Sequence, residues 1–220
     1  AMASLRVQHT GLSEKNEEAL KQFDDPKVVH RLLNYPDDLF VAAEKAKGQK
    51  AALLAQAAVA TLILIFAPMR LKNLNELRID ENLTWIDDRL HIHVPAEDVK
   101  NGEELNFIIP RGPSNRVREY IDRYRSMFRP EANPFLFPGR NGRPKDVTTL
   151  RRQITGTLFE YTGIRLTPHQ FRHVAAKLLL DARPGHYEVV RKLLGHKSLS
   201  TAYAHYTGAE TQAAIDLYDQ

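Results

Sequence analysis

Leu166–His173 reads LTPHQFRH, Leu193–Thr201 reads LLGHKSLST, and Tyr206 follows, so His169, Arg172, His196 and a tyrosine fall in order within forty residues. Thr167 is suited to cap a helix, and Pro168 takes the first helical position, where its missing N–H costs nothing. Phe171, Val174, Ala175, Leu178 and Leu179 then recur with the spacing of one buried helical face, which leaves His169 and Arg172 together on its flank. Arg183-Pro184-Gly185 breaks the chain, a second helix is expected around Val189–Leu194, and Gly195 ends it. His196 is consequently delivered from a loop.

Working back toward the N-terminus, Asp146 is placed to cap a helix that runs toward Tyr161 and stops near Gly163. The Pro-, Gly- and Asn-rich stretch Pro130–Lys145 reads as a loop, and Pro113 through Val117, Tyr120, Ile121 and Tyr124 has helical spacing. Leu90, Ile92 and Val94 alternate with His91 and His93, as in a half-buried strand. Asn101-Gly102 predicts a tight hairpin turn, with Leu105–Ile109 as the returning strand. Leu71–Leu77 forms a short amphipathic turn. Ala51–Pro68 is interrupted only by Gln56 and Thr61, but falls short of the ~20 residues a membrane span usually needs, so it predicts a central buried helix. Ser13 followed by EKNEEALKQF reads as a capped helix start, and Asp24-Asp25-Pro26 and Tyr35-Pro36-Asp37-Asp38 punctuate short helical pieces.

The pattern is mainly α with a small antiparallel β-sheet, an α+β class, and 220 residues suffice for one sizeable core. Residues 1–45 read as a helical lead-in packed on a main domain at 46–220. The net charge of +4 is unevenly spread: Arg111–Gln153 holds eleven basic against four acidic side chains, a local +7, while residues 1–45 carry −2. That distribution points to a polyanionic partner more than the total does. The absence of cysteine excludes a disulfide scaffold, thiolate nucleophiles and Cys-ligated zinc. With no basic-then-apolar signal pattern at the N-terminus, the expected location is cytoplasmic.

His169 and His173 stand four apart like the zinc ligands of a protease helix, but Gln170 sits where that chemistry requires a Glu base. His91 and His93 share a strand face with no third ligand nearby in sequence and are read as solvent-facing; His173 is read as a structural hydrogen-bonding group.

The ordered set, together with Arg70 after the apolar helix and Lys100 at the expected hairpin turn, resembles the catalytic domain of the tyrosine recombinases, the phage-integrase family. The likeness runs from about Gly48 to the C-terminus. It implies reversible cleavage and joining of double-stranded DNA through a 3′-phosphotyrosine. A tyrosine nucleophile keeps the phosphate covalently while one hydroxyl departs and another attacks. Arg70 and Arg172 would clamp the phosphate, because guanidinium stays charged and binds it bidentately. By the same resemblance Lys100 would protonate the departing 5′ oxygen, His169 would assist proton transfer at the tyrosine, and His196 would hydrogen-bond the phosphate. Tyr206 is the expected nucleophile, because HYTGAETQAA around it resembles the ending of many integrases; Tyr203 is the alternative. No metal or nucleotide cofactor is implied, since the arginines stand in for a metal ion.

Two features depart from the family pattern. Asn73 stands where many relatives carry an acidic residue, so support for Arg70 from there would be neutral, and the spacing from His196 to Tyr206 is one residue longer than usual. Relatives generally carry another DNA-binding domain before the catalytic one, so a catalytic fragment or a shortened relative is expected here. A homo-oligomer on DNA is implied, with Ala209–Tyr218 of one protomer packing on the next. The rival readings are a type IB topoisomerase, which relaxes supercoils without exchanging strands, and a DNA-binding regulator that kept the fold but lost cleavage.

Overall fold

The computed structural model describes residues 12–128 and 132–195. Its axis is α3, Gly48–Phe66, with an unbroken buried run from Leu54 to Leu64. By length and composition alone this helix could cross a membrane, yet most of it is enclosed by the protein's own elements. A helix apolar all round must be surrounded, and its six alanines let neighbours approach closely.

The closest neighbour is α2, Pro26–Lys45, which also packs on α7, Val147–Thr162. Asp25 caps α2 by accepting from the Lys27 N–H, and α2 then passes through Pro36 without stopping. The expectation of short pieces broken at Tyr35-Pro36 is therefore corrected. Pro36 forfeits a backbone bond, but Leu32, Tyr35, Leu39 and Phe40 flank it and are fully or almost fully buried. Each such side chain contributes about 1.5–3 kcal/mol through burial, which offsets the lost bond. α1, Glu14–Lys21, lies across α8, Gln170–Ala182.

The expected cap of α7 is present: Asp146 accepts from the Thr149 N–H at 2.8 Å, and Gly163 closes the helix in the left-handed conformation. α8 departs from its predicted single face. Phe171 and Val174 join the main core, whereas Ala176 and Leu180 meet Tyr187, Val190 and Leu194 of α9, Tyr187–Leu194. Ala175, Leu178 and Leu179 are only half-buried. A helix covered from two directions does not keep a one-stripe pattern.

The sheet is an antiparallel meander of β1, Leu83–Ile86, β2, Arg89–Val94, and β3, Leu105–Ile108. Its tight two-residue turn joins β1 to β2, at Asp87-Asp88, both with positive φ. Asn101-Gly102 does not form the predicted hairpin turn. The β2–β3 connection spans residues 95–104, and only Gly102 of that pair has positive φ, accepting no side-chain strain while its N–H donates to Val99 O. The predicted loop at Pro130–Lys145 is more ordered than expected. Leu136 and Phe137 are fully buried, and a bridge between Pro138 and Pro144 closes a turn whose tip is Asn141-Gly142. Between these lie the short helices α4, Leu71–Asn75, and α5, Ile79–Asn82, and the helix α6, Arg111–Glu119, which continues in a wider turn to Tyr124.

One polar chain crosses the core. Lys145 Nζ donates to Gln56 Oε1 at 2.5 Å, Gln56 Nε2 donates to the Tyr120 hydroxyl at 3.0 Å, and that hydroxyl donates to Leu136 O at 3.1 Å. Burial pushes the Lys145 ammonium down to about 8 from its ordinary 10.5. Below that value the folded protein must hold a charge the unfolded chain carries more easily, and the penalty is relieved as pH rises through the window. Wild-type stability relative to Lys145→Met, measured by urea denaturation, should therefore improve from pH 8 to pH 10; parallel curves would refute the depressed lysine. A Cβ on Gly139 would lie 2.3 Å from Pro144 O, a backbone atom across the turn. Gly139→Ala should cost about 1–3 kcal/mol in the same measurement.

Candidate active site

Four of the six expected residues lie within the described structure, on three chain segments. α3 ends at Ala67, and fully buried Met69 fixes the segment behind Arg70, whose backbone is extended at φ −67° and ψ 146°. Arg70 is half-buried and its Nη1 donates to Asn101 Oδ1 at 3.1 Å. Asn73 does not supply the neutral support expected of it by the hydrogen bond it is seen to make. Its Nδ2 donates to Asp98 O at 2.9 Å and so holds the β2–β3 connection. Lys100 is exposed on that connection, inside the turn from Val99 to Gly102.

α8 supplies the next pair. Its start carries half of a capping box, in which the Thr167 N–H and hydroxyl both donate to Gln170 Oε1 at 2.9 Å. His169 is exposed at this start, its ring edge-on to His173 at 5.2 Å. Arg172 does not share the surface with it. It is 4% exposed and turned inward, where Nη1 donates to Pro68 O at 2.6 Å and Nη2 donates to Leu194 O. Leu194 is the last residue of α9, whose terminal carbonyls are left over by the helix and carry its negative dipole end, so the buried cation meets partial negative charge.

Arg172 thus binds the carbonyl two residues before Arg70 and the one just before Gly195. Arg70 is linked to Gly195 through Asn101, whose Oδ1 accepts from Arg70 while its Nδ2 donates to Gly195 O. The two guanidinium groups therefore converge on one helix end. Partial loss of solvent around its ring lowers the His169 imidazole pKa from the ordinary histidine value, and the positive charges of Arg172 and then Arg70 push the same way. A base that stays neutral at pH 7 beside two fixed cations is suited to accept a proton next to a bound anion.

Gly195 ends α9 with φ +58°, as the sequence predicts, and is the last described residue before the C-terminal stretch. His196, Tyr203, Tyr206 and Ala209–Tyr218 lie outside the described residues. The sequence also left Asn101 and Asn16 without a role. Asn16 Nδ2 lies 3.4 Å from His173 Nε2, and Asn16 Oδ1 accepts from Gln170 Nε2 at 3.3 Å, which pins α1 to the start of α8. The only signal for Asn101 was its place in an Asn-Gly pair, which reads as turn chemistry alone.

The basic segment is divided by the fold. Arg116 pairs with Asp37 and Glu119, Arg125 donates to Asn133 O and Phe135 O, and Arg111 donates to Asp87 O. Arg140 and Arg143 flank the tip of the Pro138–Pro144 turn, Arg151 and Arg152 open α7, and all four are exposed. Among the described residues no group of three or more His, Cys, Asp or Glu side chains is arranged to hold a metal.

The chain is 34% identical over 119 residues to the tyrosine recombinase XerC of Brucella melitensis, covering 51% of this chain and 36% of that protein. It is 30% identical over 122 residues to the tyrosine recombinase XerA of Pyrococcus furiosus, covering 53% and 40%. The chain spans well under half the length of these relatives. Its fold is similar to that of the XerH site-specific recombinase bound to palindromic difH substrate, at TM-score 0.63 and 18% identity, over 96% of this chain and 54% of that one. It is also similar to a XerA recombinase at TM-score 0.55 and 18% identity, over 98% and 66%. Residues 24–213 match the phage integrase family, and at that coverage the chain belongs to it.

Proposed function

We propose that the chain is the strand-cleaving unit of a site-specific DNA recombinase. The observation that carries this reading is the convergence of Arg70 and Arg172 on the end of α9 beside His169, at the point where the chain leads into His196. Two guanidinium groups held by backbone carbonyls and a carboxamide place fixed positive charge beside His169, of the sign that stabilises a phosphodiester under attack.

In this mechanism the Tyr206 hydroxyl oxygen attacks the scissile phosphorus and its proton passes toward His169. The bond from phosphorus to the 5′ oxygen breaks, and Lys100 protonates that oxygen as it leaves. The product is a 3′-phosphotyrosine and a free 5′ hydroxyl. Joining reverses each step with a 5′ hydroxyl from the same or another strand, so no bond energy is lost and none need be supplied. Arg70, Arg172 and His196 bind the non-bridging oxygens throughout. Double-stranded DNA is the substrate, approached across Arg140, Arg143, Arg151 and Arg152, and Ala209–Tyr218 passes to a neighbouring protomer in a homo-oligomer assembled on DNA. The reading has support in the names of the XerC and XerA relatives.

A pool of nicked duplexes of randomised sequence tests the reaction, because a nick next to the cleaved bond lets the 5′ fragment escape and traps protein on DNA. Wild-type chain should yield an adduct that survives denaturing electrophoresis, and Tyr206→Phe should yield none while binding DNA normally. Loss on Tyr203→Phe instead would move the nucleophile, and salt-sensitive binding with no adduct from wild-type would leave only a DNA-binding module. The acidic limb of the adduct-formation rate should lie below pH 6.5, since His169 must be neutral to accept a proton and its pKa is depressed from that value. Arg140→Ala with Arg143→Ala should weaken binding to any duplex and lower the slope of log affinity against log salt by about two.

A further inference from the structure

Asn101 lies between the two halves of the site and touches both. Its Oδ1 accepts from Arg70 Nη1 at 3.1 Å while its Nδ2 donates to Gly195 O. A carboxamide has one acceptor end and one donor end, so these two bonds fix its orientation. The backbone that carries it is fixed independently, by the Val99–Gly102 turn bond at 2.8 Å and by Asn73 Nδ2 on Asp98 O. Gly195 packs closely against the same connection: a Cβ there would stand 3.0 Å from Leu105 Cδ2 and 4.0 Å from Asn101 Nδ2. Side chain, turn and helix end thus form one contact.

Arg70 has five N–H donors, and Asn101 engages one of them. The bond restricts the rotation of a long side chain that is only half-buried, without using up the donors a phosphate would need. Arg172 needs no such restraint, since Pro68 O and Leu194 O already hold it. The unequal burial of the two arginines therefore leaves Arg70 as the one whose direction depends on a side chain from another element.

We infer that Asn101 is a positioning residue: its carboxamide sets Arg70 against the C-terminal end of α9, so that the first arginine and the segment entering His196 are aligned by a single group adjacent to Lys100. This rests on the recombinase reading above. Alignment of this kind affects the reacting geometry more than the grip on DNA, which is spread over many phosphates.

The test compares wild-type with Asn101→Ala and Asn101→Asp in single-turnover adduct formation on a nicked duplex recovered from the randomised pool. Asn101→Ala should slow the reaction about ten- to a hundredfold at saturating DNA, with DNA affinity unchanged within about twofold and a single cooperative unfolding transition retained. Asn101→Asp should recover part of the rate, because a carboxylate still accepts from Arg70 although it cannot donate to Gly195. An unslowed alanine variant, an aspartate variant as slow as alanine, or a loss confined to DNA affinity would each overturn the assignment. A double-mutant cycle between Asn101→Ala and Arg70→Ala, read by urea denaturation of the free protein, separates the two readings. Non-additive effects there support the Asn101–Arg70 contact even if wild-type never forms an adduct, which would sink the recombinase reading alone; additive effects would overturn the positioning role whatever the DNA reaction shows.

Discussion

The structure depends on one buried cation. Arg172 sits at 4% exposure on α8 and ties together the chain leaving α3 and the end of α9 through Pro68 O and Leu194 O. A guanidinium removed from water is expensive unless its donors are met, and here two of them meet Pro68 O, in the segment leaving α3, and Leu194 O, at the end of α9. The same contact that satisfies the cation brings the two segments within reach of each other. From the β2–β3 connection, Asn101 adds a second link between Arg70 and the end of α9.

α3 makes that arrangement possible. It is the post around which α2, α4, α6, α7 and α8 gather, and its apolar surface leaves little freedom in where its end emerges. Rigid burial behind Met69 and Ala67 means that Arg70 departs from a fixed point, and α8 reaches that point from the other side. The single polar interruption of the helix that is bonded through the core, Gln56, is answered by Tyr120 and Lys145, so a polar chain crosses the interior with partners at each step. The sheet contributes a different property. Its meander carries the β2–β3 connection out to the site, where Asn73, Asn101 and Gly195 anchor a segment that the strands themselves leave long.

Periodicity served well where one neighbour covers an element and less well where two do. The cap at Asp146, the closure at Gly163 and the end of α9 at Gly195 follow from local chemistry and stand where the sequence puts them. Pro36 and α8 do not. At Pro36 the burial of Leu32, Tyr35, Leu39 and Phe40 overrides a local breaker, and α8 divides its apolar residues between the main core and α9. The Asn-Gly pair misled in another way, because Asn101 spends its side chain on Arg70 and Gly195 rather than on a two-residue hairpin.

What the sequence determined by itself is the inventory and order of chemistry: two arginines, a lysine, histidines and a tyrosine, set among capped helices and a small sheet, with the family resemblance residing in their spacing. Only the tertiary structure decided which of these groups are held and by what. Arg172 is turned inward while His169 stays at the surface, Asn73 serves the β2–β3 connection, and Asn101 joins Arg70 to the end of α9. The physical reason is that spacing along a chain reports periodic burial and local capping, whereas a hydrogen bond across 94 residues between Asn101 and Gly195 has no local signature and forms only when packing brings its partners together.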